Sequence, residues 1–188
     1  YLEEITEIMH QLLNSSNFHT QAAEMYLDLC GICTSVLAME EDEDDFVRFE
    51  ARPIWAHFID VDSKRLVDTV MTEYEDMTVR QMLQKFGEEP FMDHADKKYK
   101  LEQLKRDMDK KVTVIHGVFP RKDYDPKMKN EKGKKYVSVQ VLLECNIKLE
   151  EKGFYEMPYL VSRFSTAAGE KHGRGPGTEA LADIKMLQ

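Results

Sequence analysis

The chain has no apolar run near the ~20 residues that a membrane-spanning helix needs, and it opens on no basic-then-apolar secretory signal. It does not begin with Met, so the expectation is an internal fragment of a longer reading frame. Cysteine is scarce: Cys30, Cys33 and Cys145 are the only three. An odd count in a chain of this size excludes a secreted disulfide framework and points to reduced thiols. No internal repeat and no low-complexity linker divides the sequence. The G-x-S-x-G elbow, the H-E-x-x-H helix and the Lys-Ser/Thr ending of a Walker A loop are all missing. None of the six histidines stands three or four residues from another His or a Cys. Local motifs therefore name no catalytic residue, no metal ligand and no cofactor.

What is present is a 188-residue chain, 42% hydrophobic and 32% charged, with net charge −9. That is enough to bury a substantial core. The charge is unevenly spread: residues 1–95 hold 6 Lys/Arg against 21 Asp/Glu, net −15, and residues 96–188 hold 20 against 14, net +6. A body this acidic is no general nucleic-acid binder, because phosphate neutralisation needs a basic face.

Leu2, Ile5, Ile8, Met9, Leu12 and Leu13 form one helical stripe. Asn14-Ser15-Ser16-Asn17 interrupts it and offers caps to a second helix carrying Phe18, Ala22, Met25 and Leu29, with Gly31 as a stop. Strands are expected at Val36–Met39 and Phe46–Phe49, joined through six consecutive acids, Glu40 to Asp45, as a solvated hairpin tip. Further strands are expected at Ile54–Ile59, Leu66–Tyr74, Val112–Phe119 and Tyr159–Phe164, and at 136–141, where Val137, Val139 and Val141 would be the buried face. Thr78 and Gln81 make a capping box for a helix closed by Gly87. A polar helix runs from Asp96 to Asp109, and a last one begins near Thr178. The fold class is α+β: an N-terminal helical hairpin, then a mostly antiparallel β body with short helices, read as one body over 1–188.

Four patterns are weighed for chemistry. Cys30-Gly-Ile-Cys33 has zinc or redox spacing but lacks a second ligand pair and falls at a helix end, so structural thiols are expected. Asp60-Val-Asp62 stands where metal-dependent sugar-nucleotide transferases keep two carboxylates, yet no nucleotide-binding βαβ unit precedes it and turn chemistry is the expected reading. Arg121, Lys122, Lys127, Lys129, Lys132, Lys134 and Lys135 make a basic loop that could touch DNA phosphates. Gly173, Arg174, Gly175, Pro176 and Gly177 resemble a phosphate cradle but read better as a backbone-critical or subunit-contact loop entering a helix.

Gly153-Phe-Tyr-Glu-Met-Pro158-Tyr-Leu-Val-Ser-Arg163-Phe-Ser, the Gly169–Gly177 loop and Ala180-Leu-Ala-Asp-Ile-Lys-Met-Leu187 together resemble the head-to-tail connector (portal) proteins of short-tailed phages. Val67-Asp68-Thr69-Val70, Thr78-Val-Arg-Gln81 and Val114-Ile-His-Gly-Val-Phe-Pro120-Arg121 extend the resemblance over almost the whole chain. Phe164 and His172 stand where that family has Trp and Tyr, and the Cys30/Cys33 pair is not a family feature. The resemblance implies a structural ring, typically of twelve subunits, in the virion at one capsid vertex, built in the host cytoplasm. Terminase, capsid or scaffold, and tail proteins would be its partners. Double-stranded DNA would pass through without sequence-specific contact, and neither cofactor nor membrane is called for. This stretch would be the wing-type region, residues 178–188 starting a helix toward the channel-forming part. The alternatives are the transferase on Asp60 and Asp62 and a head-tail adaptor.

Overall fold

The structure is a computed structural model that describes residues 1–42 and 46–187. The centre of the acidic run, Glu43 to Asp45, lies outside the described residues. The chain is α+β, and it packs as two compact units. The first takes in residues 1–55, 59–67 and 158–188; the second takes in residues 56–58 and 68–157.

In the first unit, α1 (Leu2–Ser15) and α2 (Phe18–Gly31) form the expected helical hairpin. They lead into β1 (Thr34–Asp42) and β2 (Phe46–Arg52), an antiparallel pair in register from Val36↔Arg52 to Asp42↔Phe46. β8 (Tyr159–Arg163) joins β1 on its other side, so the sheet order is β2-β1-β8. α5 (Pro176–Leu187) ends the unit. It begins two residues before Thr178, because Pro at the first helical position lacks only an N–H that would be unpaired there anyway. Asn17 stands at the α2 N-cap, but its side chain does not cap that helix. Its amide instead donates to the Phe49 carbonyl at 2.7 Å and accepts from the Phe49 N–H at 2.9 Å, while Gln21 accepts from the Ala51 N–H at 2.6 Å. Two side chains thus satisfy the outer edge of β2, which would otherwise be open to strand pairing.

The second unit is built on β4 to β7, antiparallel neighbours in a five-stranded sheet of order β3-β4-β5-β6-β7. β3 spans His57–Val61, β4 Val67–Thr78, β5 Lys111–Pro120, β6 Tyr136–Leu142 and β7 Ile147–Phe154. β3 starts later than the sequence suggests, because Ile54–Ala56 forms a 3-10 turn behind Pro53. β4 carries a register shift between Tyr74 and Met77 and runs directly into α3 (Val79–Phe86). The Thr78/Gln81 capping box is present, and Gly87 closes α3 at φ 69°, a left-handed value that glycine tolerates. α4 (Ala95–Lys105) is shorter than expected and ends before Arg106.

Val112 and Val114 of β5, Leu142 of β6, and Ile147 and Leu149 of β7 pack against Val79, Met82, Phe91, Leu101 and Leu104, all buried. The inner face of β6 is therefore the one bearing Leu142, Gln140 and Ser138, not the valine face. Ser138 and Val137 are both buried, as suits a strand with neighbours on either side. The β6–β7 turn is held from two directions: the Lys100 ammonium donates to the Cys145 carbonyl at 2.9 Å, and the Thr113 N–H donates to the Glu144 carboxylate at 2.7 Å.

Phe91 is fully buried in this cluster and Thr78 is a half-buried cap. In urea unfolding, Phe91→Ala is expected to lower stability by about 3–5 kcal/mol, and Thr78→Ala by about 1 kcal/mol. Equal losses from the two would contradict this packing.

Candidate functional site

All four patterns weighed for chemistry lie among the described residues. The glycine loop lies in the first unit. Two residues past the end of α2 stands Cys33, a buried non-glycine residue at φ 68°. That conformation turns its carbonyl toward the strand end, where the Phe164 N–H donates to it at 3.0 Å. The chain then folds back, with Ser165 and Arg174 exchanging main-chain hydrogen bonds at 3.0 and 2.8 Å. The Gly173 N–H donates to the Thr34 hydroxyl at 2.7 Å. A Cβ on Gly173 would lie 2.0 Å from the Cys33 carbonyl oxygen, and one on Gly175 would lie 2.5 Å from the Cys33 Sγ. Both glycines are thus demanded by close approach. The left-handed glycines are Gly87 and Gly169, so positive φ is not the reason at 173 and 175. On Gly177 a Cβ would meet only the Gly31 carbonyl at 3.6 Å, an ordinary contact.

Around this clasp the charges are paired locally. Glu170 takes the Arg174 guanidinium, and Arg174 holds its carboxyl below the usual range. Arg163 donates to two main-chain carbonyls, Lys171 at 3.1 Å and Arg65 at 2.5 Å, tying the β3–β4 turn to the loop. The sequence singles out Arg163 only within the family-like stretch and not for this work, since its partners are backbone carbonyls 8 and 98 residues away. The loop does not form a phosphate cradle: the Gly173 N–H is spent on Thr34, and the Thr178 N–H donates to Gly175 at 2.9 Å.

The Asp60/Asp62 pair is also committed. Asp62 Oδ1 accepts from the Lys64 and Leu66 N–H groups at 2.8 and 2.9 Å, an ordinary Asx-type turn. Asp60 accepts from the Val61 N–H and pairs with Lys171 at 3.0 Å; that hydrogen bond first, and Lys171 second, lower its pKa. Among the described residues no group of three His, Cys, Asp or Glu could hold a metal ion, and the transferase reading gains no support. The three thiols are free, with Cys30 exposed, Cys145 half-buried and Cys33 packed against Gly175 and Thr178.

The basic loop separates into two sets. Arg121 is a structural residue: its side chain is only 7% exposed and lies 3.3 Å from Glu151 and 3.6 Å from Asp123. Glu151 is held below the usual carboxylate range by Lys148 foremost and by Arg121. Lys132 pairs with Asp123 at 3.6 Å and Lys134 with Glu131 at 2.9 Å. Lys122, Lys127, Lys129 and Lys135 are exposed and have no carboxylate partner among the described residues. Gly133 is buried, where a Cβ would fall 1.9 Å from the Met128 carbonyl.

A family model described as bacteriophage head to tail connecting protein matches residues 1–188, and the chain belongs to that family. It is 29% identical, over a 191-residue alignment, to the portal protein of Salmonella phage epsilon15, an alignment that covers all of this chain and 34% of that protein. It is 26% identical, over a 190-residue alignment, to the probable portal protein of Bordetella phage BPP-1, covering all of this chain and 33% of that one. The chain thus spans about a third of the length of these curated relatives.

Gly173→Ala and Gly175→Ala are each expected to destabilise the chain by about 1–3 kcal/mol or more through overpacking. Gly177→Ala, in a helix and unobstructed, is expected to be neutral or to stabilise by about 0.5–1 kcal/mol. Chemical unfolding of the three variants checks this, and equal losses at all three positions would count against the clasp.

Proposed function

We propose that this chain is the wing-type α+β part of a phage portal, a ring at one capsid vertex through which the genome enters during packaging and leaves at ejection. The observation that carries the reading is the family match over every residue of the chain. In this reading the ring has on the order of twelve copies, as cyclic assembly of one heterologous contact allows. Its partners are the terminase, the capsid or scaffold, and the tail. It is assembled in the host cytoplasm and kept in the virion. Residues 178–188 lead toward the channel-forming part.

The role is structural and not enzymatic. Within it, the Gly173–Gly177 loop serves to hold the first unit together. A conduit must release its cargo, and each phosphate contact adds affinity and salt dependence. The charge suits that requirement: the first unit carries 8 Lys/Arg against 17 Asp/Glu, net −9, and the second carries 18 against 18. The spatial units therefore differ from the sequence halves of −15 and +6, and the whole excess is concentrated in one of them. No helix among the described residues is long and apolar enough to cross a membrane.

Immunogold labelling of virions with antibody against residues 1–188 tests the reading. Gold at a single vertex per particle is expected. Labelling of every vertex, or of the tail shaft alone, would contradict it.

A further inference from the structure

Residues 1–47 hold 11 Asp or Glu and not one Lys or Arg. The α1–α2 hairpin therefore has no Lys or Arg of its own with which to neutralise its carboxylates. α1 buries none of its residues. It exposes Glu3, Glu4 and Glu7 together with Leu2 at 77% and Ile8 and Met9 at 61%. An amphipathic helix left with its apolar side chains in water is a surface for a partner. Its charge excludes nucleic acid as that partner and calls for a cationic surface with apolar content.

The 121–135 loop offers the reciprocal surface. Lys122, Lys127 and Lys129 stand exposed without carboxylate partners among the described residues, and Tyr124 and Met128 are 44% and 46% exposed between them. The loop is preset for docking. Arg121 anchors its base, the Asp125 N–H donates to the Lys132 carbonyl at 3.0 Å, and Gly133 lets the 125–128 turn lie directly on its main chain. A surface fixed before binding loses less entropy when it binds. The apolar pair at its centre suits a helix better than it suits phosphates, which contact cations and polar groups. Both surfaces remain exposed in the one chain.

We propose that α1 of one copy docks on the 121–135 loop of a second copy, with glutamates against lysines and the α1 apolar side chains against Tyr124 and Met128. This rests on the ring reading and assigns it a seam. Two different patches of one chain then meet, the heterologous contact that generates closed rings.

The test uses the full-length protein and two charge-reversed variants. One carries Glu3→Lys, Glu4→Lys and Glu7→Lys; the other carries Lys122→Glu, Lys127→Glu and Lys129→Glu. Like charges facing across an interface cost several kcal/mol, so each variant alone is expected to lose at least about tenfold in oligomer yield by light scattering. Mixed in equal amounts, the two should co-assemble to near the wild-type yield, because opposite charges again face each other at every seam. Wild-type yield from either variant alone overturns the proposal. So does a lysine variant that assembles normally while losing affinity for duplex DNA, which would make phosphate the loop's partner. A wild type that stays monomeric overturns the ring reading along with the seam. Should the reversed helix fold poorly, Met9→Cys mixed with Met128→Cys under mild oxidation supplies a second readout. A disulfide-linked heterodimer is expected, and its absence contradicts the contact.

Discussion

Between the Cys33 carbonyl oxygen and the α-carbon of Gly173 there is no room for a β-carbon. The first unit hangs on that approach. Between α2 and β1, Cys33 takes the left-handed region, which aims its carbonyl at Phe164 just before β1 starts at Thr34. Thr34 then receives the Gly173 N–H, and Gly175 leaves space for the Cys33 thiol. Because β8 pairs with β1 and α5 begins at Pro176, one backbone contact fixes a helix end, two strands and the start of another helix. A β-carbon cannot be accommodated at Gly173 by a side-chain adjustment, since the obstructing atoms there belong to the main chain. That is why the constraint falls on glycine and not on a side chain that could adjust.

Local signals were the legible ones. The α1 stripe, the Thr78/Gln81 box and the Gly87 stop each depend on residues within four positions of one another, and each forms as read. The glycine loop could be singled out from sequence, but not for its true reason, because the atom that forbids a β-carbon at Gly173 belongs to a residue 140 positions earlier. β7 escaped notice altogether. Ile147 and Leu149 do alternate with Lys148 and Glu150, but the segment is rich in Lys and Glu, which disfavour strands. Its place comes from pairing with β6 and from the core contacts of its two apolar residues. Asn17 shows a similar override, since a good helix cap spends its side chain on a strand edge instead. The basic loop reads from sequence as seven equivalent cations, yet only burial separates Arg121 from the exposed lysines.

Charge links this architecture to the function. In the proposed reading, a second unit with no net charge and a first unit at −9 suit a body that releases DNA, while the exposed lysines of one loop and a helix with glutamates but no Lys or Arg leave attraction for a protein neighbour. Weak interaction with the cargo and specific interaction with an identical subunit are the two demands on a wall segment of a conduit. The committed carboxylates at Asp60 and Asp62 and the occupied main-chain donors of the glycine loop fit the same account, because both patterns that resemble catalytic or nucleotide-binding motifs are consumed by folding.

The central claim is that the protein to which this chain belongs assembles into a closed ring. Negative-stain electron microscopy of the full-length protein tests it most directly. The account predicts closed rings with a central hole and one subunit number throughout the population. Compact particles without a hole, at the mass of one or two chains, would contradict it.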